Sequence, residues 1–215
     1  MKRTTEAYLA ELLDRYPTLK TVGDDIYTAV ESLIHLYQNN GKLLVCGNGG
    51  SAADSLHIVG ELMKSFRLSR PLPMNLRTKL NEYESGDNLG DSLQMPLRAI
   101  ALVCESGLNT AFVNDVNPHY VFAQQVLGYG DKDDILMAIS TSGNSRNVVY
   151  AAEVAKALGL TVVALTGQGG GKLRQLSDIC IAVPETETFK VQELHLPVYH
   201  VLCLAVENEL FKVGD

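Results

Sequence analysis

Leu43-Leu44-Val45-Cys46-Gly47-Asn48-Gly49-Gly50-Ser51 is the stretch on which the fold turns. It opens with an unbroken apolar run, bends through glycines and an asparagine, and passes at once into helical periodicity over 51–66. Continuous apolarity, rather than alternation, marks a strand covered on both faces. Four more strand-sized runs repeat the pattern at 99–104, 135–139, 161–165 and 179–183. All but the last run into Gly, Ser, Thr or Asn and then a helical stretch; the last passes through Pro184 to Thr186 and Thr188. Alternation of this kind predicts an α/β fold, a parallel sheet with helices on both faces.

Working outward, the spacing predicts helices over 4–16 and 21–38 ahead of the first strand, and over 145–158 after the third. A final helix is expected between 188 and 211, where Leu194, Val198, Val201, Leu202 and Ala205 form a buried stripe. Pro197 falls inside it, removing one backbone donor and marking either a bend or a later start. Residues 70–98, with Pro71, Pro73, Pro96 and the polar run 81–88, read as an irregular insertion. The chain is expected to be one domain over 1–215, with 1–40 as its N-terminal helices.

The chain has 215 residues, 46% hydrophobic and 20% charged, enough for one well-cored domain. No apolar run approaches the roughly 18 residues of a membrane span, so neither a membrane nor, at a formal charge of -7, nucleic acid is an expected partner. Basic residues at Lys2 and Arg3 are followed by Glu6, Glu11 and Asp14, which interrupt any signal-peptide core, so a cytoplasmic location is expected. Cys46, Cys104, Cys180 and Cys203 lack Cys-x-x-Cys spacing and read as buried free thiols. Net negative charge does not exclude a phosphorylated small molecule, because hydroxyls and backbone N–H groups at a helix start hold a phosphate without a basic patch.

Two turns carry that chemistry. In 47–51 the glycines let backbone approach a ligand closely, while Ser51 could cap the helix and face an anion. In Ser140-Thr141-Ser142-Gly143-Asn144-Ser145, four hydroxyls gather where a helix dipole favours negative charge, which points to a phosphate cradle over simple capping. Neither turn ends in the Gly-Lys-Ser/Thr of a P-loop. His57 and Glu61 are four apart on one helix face, placed by this reading near the strand ends where α/β ligands bind. The spacing suits metal ligation and equally an ordinary surface hydrogen bond. Gln192 and His200 join them only if the last helix, from this chain or a neighbour, comes close. His195 reads as a partly buried, hydrogen-bonded histidine.

Taken together, Cys-Gly-Asn-Gly-Gly-Ser at 46–51, His57 with Glu61, Asn114-Asp115, the 140–145 motif, Leu-Thr-Gly at 165–167 and Gln192-Glu193 with His200 resemble the phosphoheptose isomerases of the SIS (sugar isomerase) superfamily. The resemblance runs from about residue 41 to 210. It implies a single SIS domain with a flavodoxin-like, five-stranded parallel sheet, a homotetramer with active sites at subunit interfaces, and conversion of sedoheptulose 7-phosphate to D-glycero-D-manno-heptose 7-phosphate. It also implies Glu61 and His200 as catalytic base and acid. Substrate would be bound by Asn48, Gly49, Gly50, Ser51, Glu61, Asn114, Asp115, Ser140, Thr141, Ser142, Ser145 and Gln192, and a weak, exchangeable Zn²⁺ by His57, Glu61, Gln192 and His200. Two positions depart from the family pattern: Ser65 replaces an arginine, with Lys64 and Arg67 nearby, and Phe189 replaces an aspartate.

Other readings are a non-catalytic SIS protein that senses a phosphosugar or docks a protein, and a SIS isomerase for another phosphosugar. The first has no use for Glu61 and His200 together. The second shares both loop motifs.

Overall fold

The structure, a computed structural model, describes residues 1–83 and 88–212. Five strands, β1 (Leu43–Cys46), β2 (Ala99–Ala101), β3 (Ile135–Ser140), β4 (Thr161–Gly167) and β5 (Ile179–Val183), form one sheet in the order β2-β1-β3-β4-β5. Every pairing is parallel, with Leu43 in register with Ala99 on one side and Ile135 on the other. This is the doubly wound order whose direction reverses between β1 and β3, so the loops leaving those strands flank the sheet's switch point.

Successive strand residues face opposite sides, which explains the unbroken apolar runs. Leu43, Val45, Met137, Ile139, Val163 and Leu165 pack under α1 (Arg3–Arg15), α2 (Gly23–Gln38), α3 (Gly50–Met63) and the last helix. Leu44, Cys46, Leu136, Ala138, Val162 and Ala164 pack on the other face.

Between α3 and β2 the expected insertion holds two short helices, α4 (Met74–Asn81) and α5 (Leu89–Ser92), and an antiparallel bridge from Pro71 to Gln94. Part of its polar run, 84–87, lies outside the described residues. Between β2 and β3 come α6 (Ser106–Asp115) and α7 (Val121–Tyr129), which periodicity did not reveal. Val121, Phe122, Ala123, Gln125 and Val126 are all buried, so α7 lacks the polar stripe that makes a helix legible. After β3 come α8 (Arg146–Leu158), the short α9 (Leu173–Leu176) between β4 and β5, and α10 (Thr188–Phe211), which continues through Pro197.

Three expectations are corrected. α3 stops at Met63 rather than 66, because the N–H groups of Phe66, Arg67 and Leu68 are taken by the Glu207 carboxylate of α10. β2 ends at Ala101, which leaves Cys104 exposed, and Cys180 on the edge strand β5 is half-buried; only Cys46 and Cys203 are buried, and burial pushes both thiols up to about 12. Ser51 does not cap α3: the helix starts a residue earlier with Gly49 at its N-cap, and Ser51 lies inside it, 3% exposed. Among the described residues no helix is long and apolar enough to cross a membrane.

Candidate active site

At the switch point the two loops meet. Gly49 adopts φ +55° and leaves open space beside it, and a Cβ on Gly50 would lie 2.8 Å from Gln192 Cδ, so the Gln192 amide rests directly against the turn. Asn48 and Asn147 exchange two amide hydrogen bonds of 2.9 Å, tying this turn to the first turn of α8. In the hydroxyl loop, Ser140 Oγ donates to Ser145 Oγ at 3.0 Å, and Ser142 Oγ accepts the Asn144 N–H at 3.2 Å. Ser145 sits at the N-cap of α8 without spending its hydroxyl on capping. That arrangement leaves hydroxyls beside a helix N-terminus, as an anion site requires.

Sequence reasoning missed what braces this loop. Gly143, at φ +66°, packs against the Gly170–Gly171 backbone, where an added Cβ would overlap the Gly170 carbonyl and lie 2.8 Å from Gly171 N. Leu173 N–H donates to Gly143 O and Lys172 N–H to Asn144 Oδ1, both at 3.1 Å. The run of glycines at 169–171 was the available signal. Asn114 and Asp115 lie elsewhere: exposed at the end of α6, they pair with each other at 2.8 Å.

A second cluster joins α3 to α10. His57 Nε2 is 3.4 Å from Glu61 Oε1 and 3.5 Å from His200 Nε2, so the imidazole of His57 stands between the two residues singled out for proton transfer. Lys64 Nζ donates to the other Glu61 oxygen at 2.9 Å. Burial and the neighbouring His57 hold His200 below the ordinary histidine value, with Glu61 pulling the other way. The Phe66 ring lies 5.7 Å from His200.

Behind His57 stand two residues that sequence reasoning overlooked. Tyr199, 1% exposed, has its hydroxyl 3.0 Å from His57 Nδ1, with Asp54 near enough to interact with it electrostatically, while Asp54 Oδ2 is buried without a hydrogen-bond partner. A tyrosine has one proton to give, and an ionised carboxylate can only accept. The tautomer of His57 decides which of the two donates across the 3.0 Å contact, and a Tyr199 hydroxyl proton turned toward Asp54 would leave His57 Nδ1–H as the donor. Burial raises Asp54 above the usual carboxylate range, opposed by the neighbouring Tyr199 hydroxyl and by His57, and burial with the Asp54 charge raises Tyr199. Asp54 sits one turn before His57 and Tyr199 immediately before His200, which was the available signal.

His57 Nε2 faces a carboxylate oxygen and a second imidazole nitrogen, a grouping that a shared proton or a cation would hold together. The 3.4 and 3.5 Å spacings suit edges of a zinc tetrahedron, about 3.3 Å for Zn–N bonds of about 2.0–2.1 Å. The four-donor set is nonetheless incomplete. Gln192 lies two turns along α10, roughly 12 Å of axial rise from His200, against Gly50 instead. Among the described residues no group of three or more His, Cys, Asp or Glu side chains is gathered for a metal ion.

Position along α3 corrects one further expectation. Glu61 is not near the strand ends: α3 carries it roughly 16 Å of axial rise beyond Gly50. His195 is fully buried and donates Nε2–H to the Thr166 carbonyl at 3.2 Å, anchoring α10 to β4.

A parallel sheet ordered β2-β1-β3-β4-β5, with glycine and hydroxyl turns at its switch point, is the frame of a SIS domain, and the SIS domain family profile matches residues 7–91 and 83–167. The chain is 36% identical over 200 residues to the phosphoheptose isomerase of Akkermansia muciniphila, covering 93% of each, and 37% identical over 191 residues to that of Helicobacter pylori strain P12, covering 89% of this chain and 87% of the other. The solved structure of phosphoheptose isomerase GmhA from Neisseria gonorrhoeae aligns at a TM-score of 0.74 and 32% identity, over 94% of this chain and 96% of that one. The chain belongs to the phosphoheptose isomerase family of SIS-domain proteins. The Vibrio vulnificus NanR protein complexed with ManNAc-6P, at TM-score 0.55 and 14% identity over 96% of this chain and 62% of that one, shares the fold alone.

Proposed function

We propose that this protein is an aldose–ketose isomerase that converts sedoheptulose 7-phosphate to D-glycero-D-manno-heptose 7-phosphate. The observation that carries the reading is His57 held between Glu61 and His200 in a chain 36% identical to a phosphoheptose isomerase. Moving a carbonyl from C2 to C1 requires one proton off C1, one onto C2, and transfer of a proton from O1 to O2. Glu61 takes the C1 proton as the C1–C2 double bond forms, and returns it to C2. His200, held neutral near pH 7, gives its N–H proton to O2 and recovers one from O1. Lys64 lies beside Glu61 as a local positive charge while the enediolate persists.

The phosphate is assigned to the loop 140–145, with Asn48, Gly49, Gly50 and Gln192 along the adjoining turn, and Ser51, Asn114 and Asp115 carried over from the family pattern. Zn²⁺ would be held by His57, Glu61 and His200, Gln192 of the same chain lying too far along α10 to join them, and would supply Lewis acidity toward the carbonyl oxygen. Separation of Glu61 from the glycine turn supports a homotetramer in which the hydroxyl loop of one protomer and the proton-transfer cluster of another complete each site. Four free cysteines support a cytoplasmic location.

Glu61→Gln tests the assignment. It should bind phosphosugar normally while turnover falls by about 10²–10⁴-fold, followed as product formation and as deuterium uptake at the carbon beside the carbonyl. Near-normal turnover would remove Glu61 as base. Inertness of the wild type toward every ketose phosphate, with a stable protein partner recovered, would favour a non-catalytic SIS protein.

A further inference from the structure

Arg70 and Glu207 are the charged pair that the fold takes fully out of water, each 1% exposed, and none of the proton-transfer steps uses them. Glu207 lies seven residues beyond His200 on α10, hence on the same face two turns further along. Its carboxylate accepts N–H bonds from Phe66 at 2.8 Å, Arg67 at 2.8 Å and Leu68 at 3.0 Å, and from Arg70 Nε at 2.7 Å. Arg70 Nη1 donates to Leu62 O at 2.7 Å, and Nη2 reaches Glu61 O at 3.4 Å. Those carbonyls belong to the last turn of α3, where no intrahelical donor remains for them, and a cation there also suits the helix dipole.

The two side chains thus grip the active cluster from α10, through Glu207, and from the segment that follows α3, through Arg70. Arg70 holds the backbone of Glu61 itself, and Glu207 holds Phe66, whose ring lies against His200. A buried ion pair is a weak source of stability, because desolvation offsets most of the attraction, and its best use is to select one geometry. We propose that Arg70 and Glu207 form a positioning clamp that sets the separation of Glu61 from His200, an inference that rests on the isomerase reading for its catalytic consequence. Arginine is required because its planar fork reaches Glu207 and the α3 carbonyls together, which a lysine ammonium does not.

The test is Arg70→Lys beside the apolar replacement Arg70→Met/Glu207→Leu, which removes the charges and keeps the volume filled. In folded protein, checked by circular dichroism and thermal unfolding, kcat should fall about 10- to 100-fold, as for a small misplacement of reacting groups, while KM for the ketose phosphate stays within about twofold because the hydroxyl loop is untouched. The imidazole NMR signals of His57 and His200 should move in Arg70→Lys, with those of His35 and His119 unchanged. Folded variants with wild-type kcat and unmoved His57 and His200 signals would overturn the clamp. So would failure of both variants to fold, since the pair would then be a folding element only. A wild-type enzyme that isomerises nothing, with the imidazole signals still displaced in Arg70→Lys, would sink the isomerase reading and leave the clamp standing.

Discussion

Tyr199→Phe removes one oxygen from a residue 1% exposed, so its consequences can be traced atom by atom. The ring volume stays, and no cavity opens. His57 Nδ1 loses its 3.0 Å partner and Asp54 loses the hydroxyl that lowers its pKa. Each polar group left unsatisfied away from water costs about 1–3 kcal/mol. His57 is half exposed and recovers part of this through water, so a net loss of about 1–3 kcal/mol in urea unfolding is expected at pH 7.5. The sign with pH follows from Asp54, whose folded value is already raised by burial and rises further in the variant. A carboxyl raised in the folded state penalises folding above its folded pKa and is relieved as pH falls through that value. The stability deficit of Tyr199→Phe should therefore shrink on acidification from pH 7.5. Catalysis should suffer separately: His57 loses the partner that holds its tautomer, and outer partners of this type are worth about 10- to 100-fold in activity. Steady-state kinetics on sedoheptulose 7-phosphate should show that loss in kcat. A variant with wild-type kcat, or a deficit that deepens in acid, would refute the coupling of His57 through Tyr199 to Asp54.

Two more outcomes follow from buried geometry. His195, lowered by burial from 6.5 to about 4, stays neutral in the fold while the unfolded chain takes up a proton near 6.5, so stability is complete above pH 6.5 and is lost as pH falls toward 4; urea unfolding at pH 4.5 should show about 2–3 kcal/mol of that loss, absent in His195→Gln. Gly143→Ala forces a side chain into the left-handed region against the Gly170 carbonyl, and should cost about 2–5 kcal/mol from that conformation and the two hydrogen bonds of the bracing loop; a raised KM with kcat retained would mark the loop as the phosphate seat, and an unchanged KM would remove it.

Much of the architecture was legible because its cause is local. Strands buried on both faces must be apolar at every position, so 43–46 and 179–183 were bounded to the residue. Helix ends were less legible where distant groups decide them: α3 stops at Met63 because a carboxylate more than a hundred residues away captures the N–H groups beyond it. α7 escaped notice because its exposed positions, Leu127 and Tyr129, are apolar like its buried ones, which erases periodicity. Within the site, glycines announced the loops, since positive φ demands particular residue types. Asp54 and Tyr199 were signalled only by standing one turn before His57 and immediately before His200, and Arg70 and Glu207 carried no mark at all.

By itself the sequence determined the class of fold and marked out the glycine-rich and hydroxyl-rich turns, because these rest on residue chemistry within one element, whereas the pairing of Glu61 with His200, on separate helices, rested on the resemblance to a family. Only the tertiary structure decided that His57 stands between that pair, that Gln192 sits by Gly50 instead, and that the proton-transfer cluster lies far along α3 from the hydroxyl loop. Those relations depend on how α10 packs across α3, and the direction in which two helices meet is set by side-chain contacts summed over the whole core, which no local pattern of residues encodes.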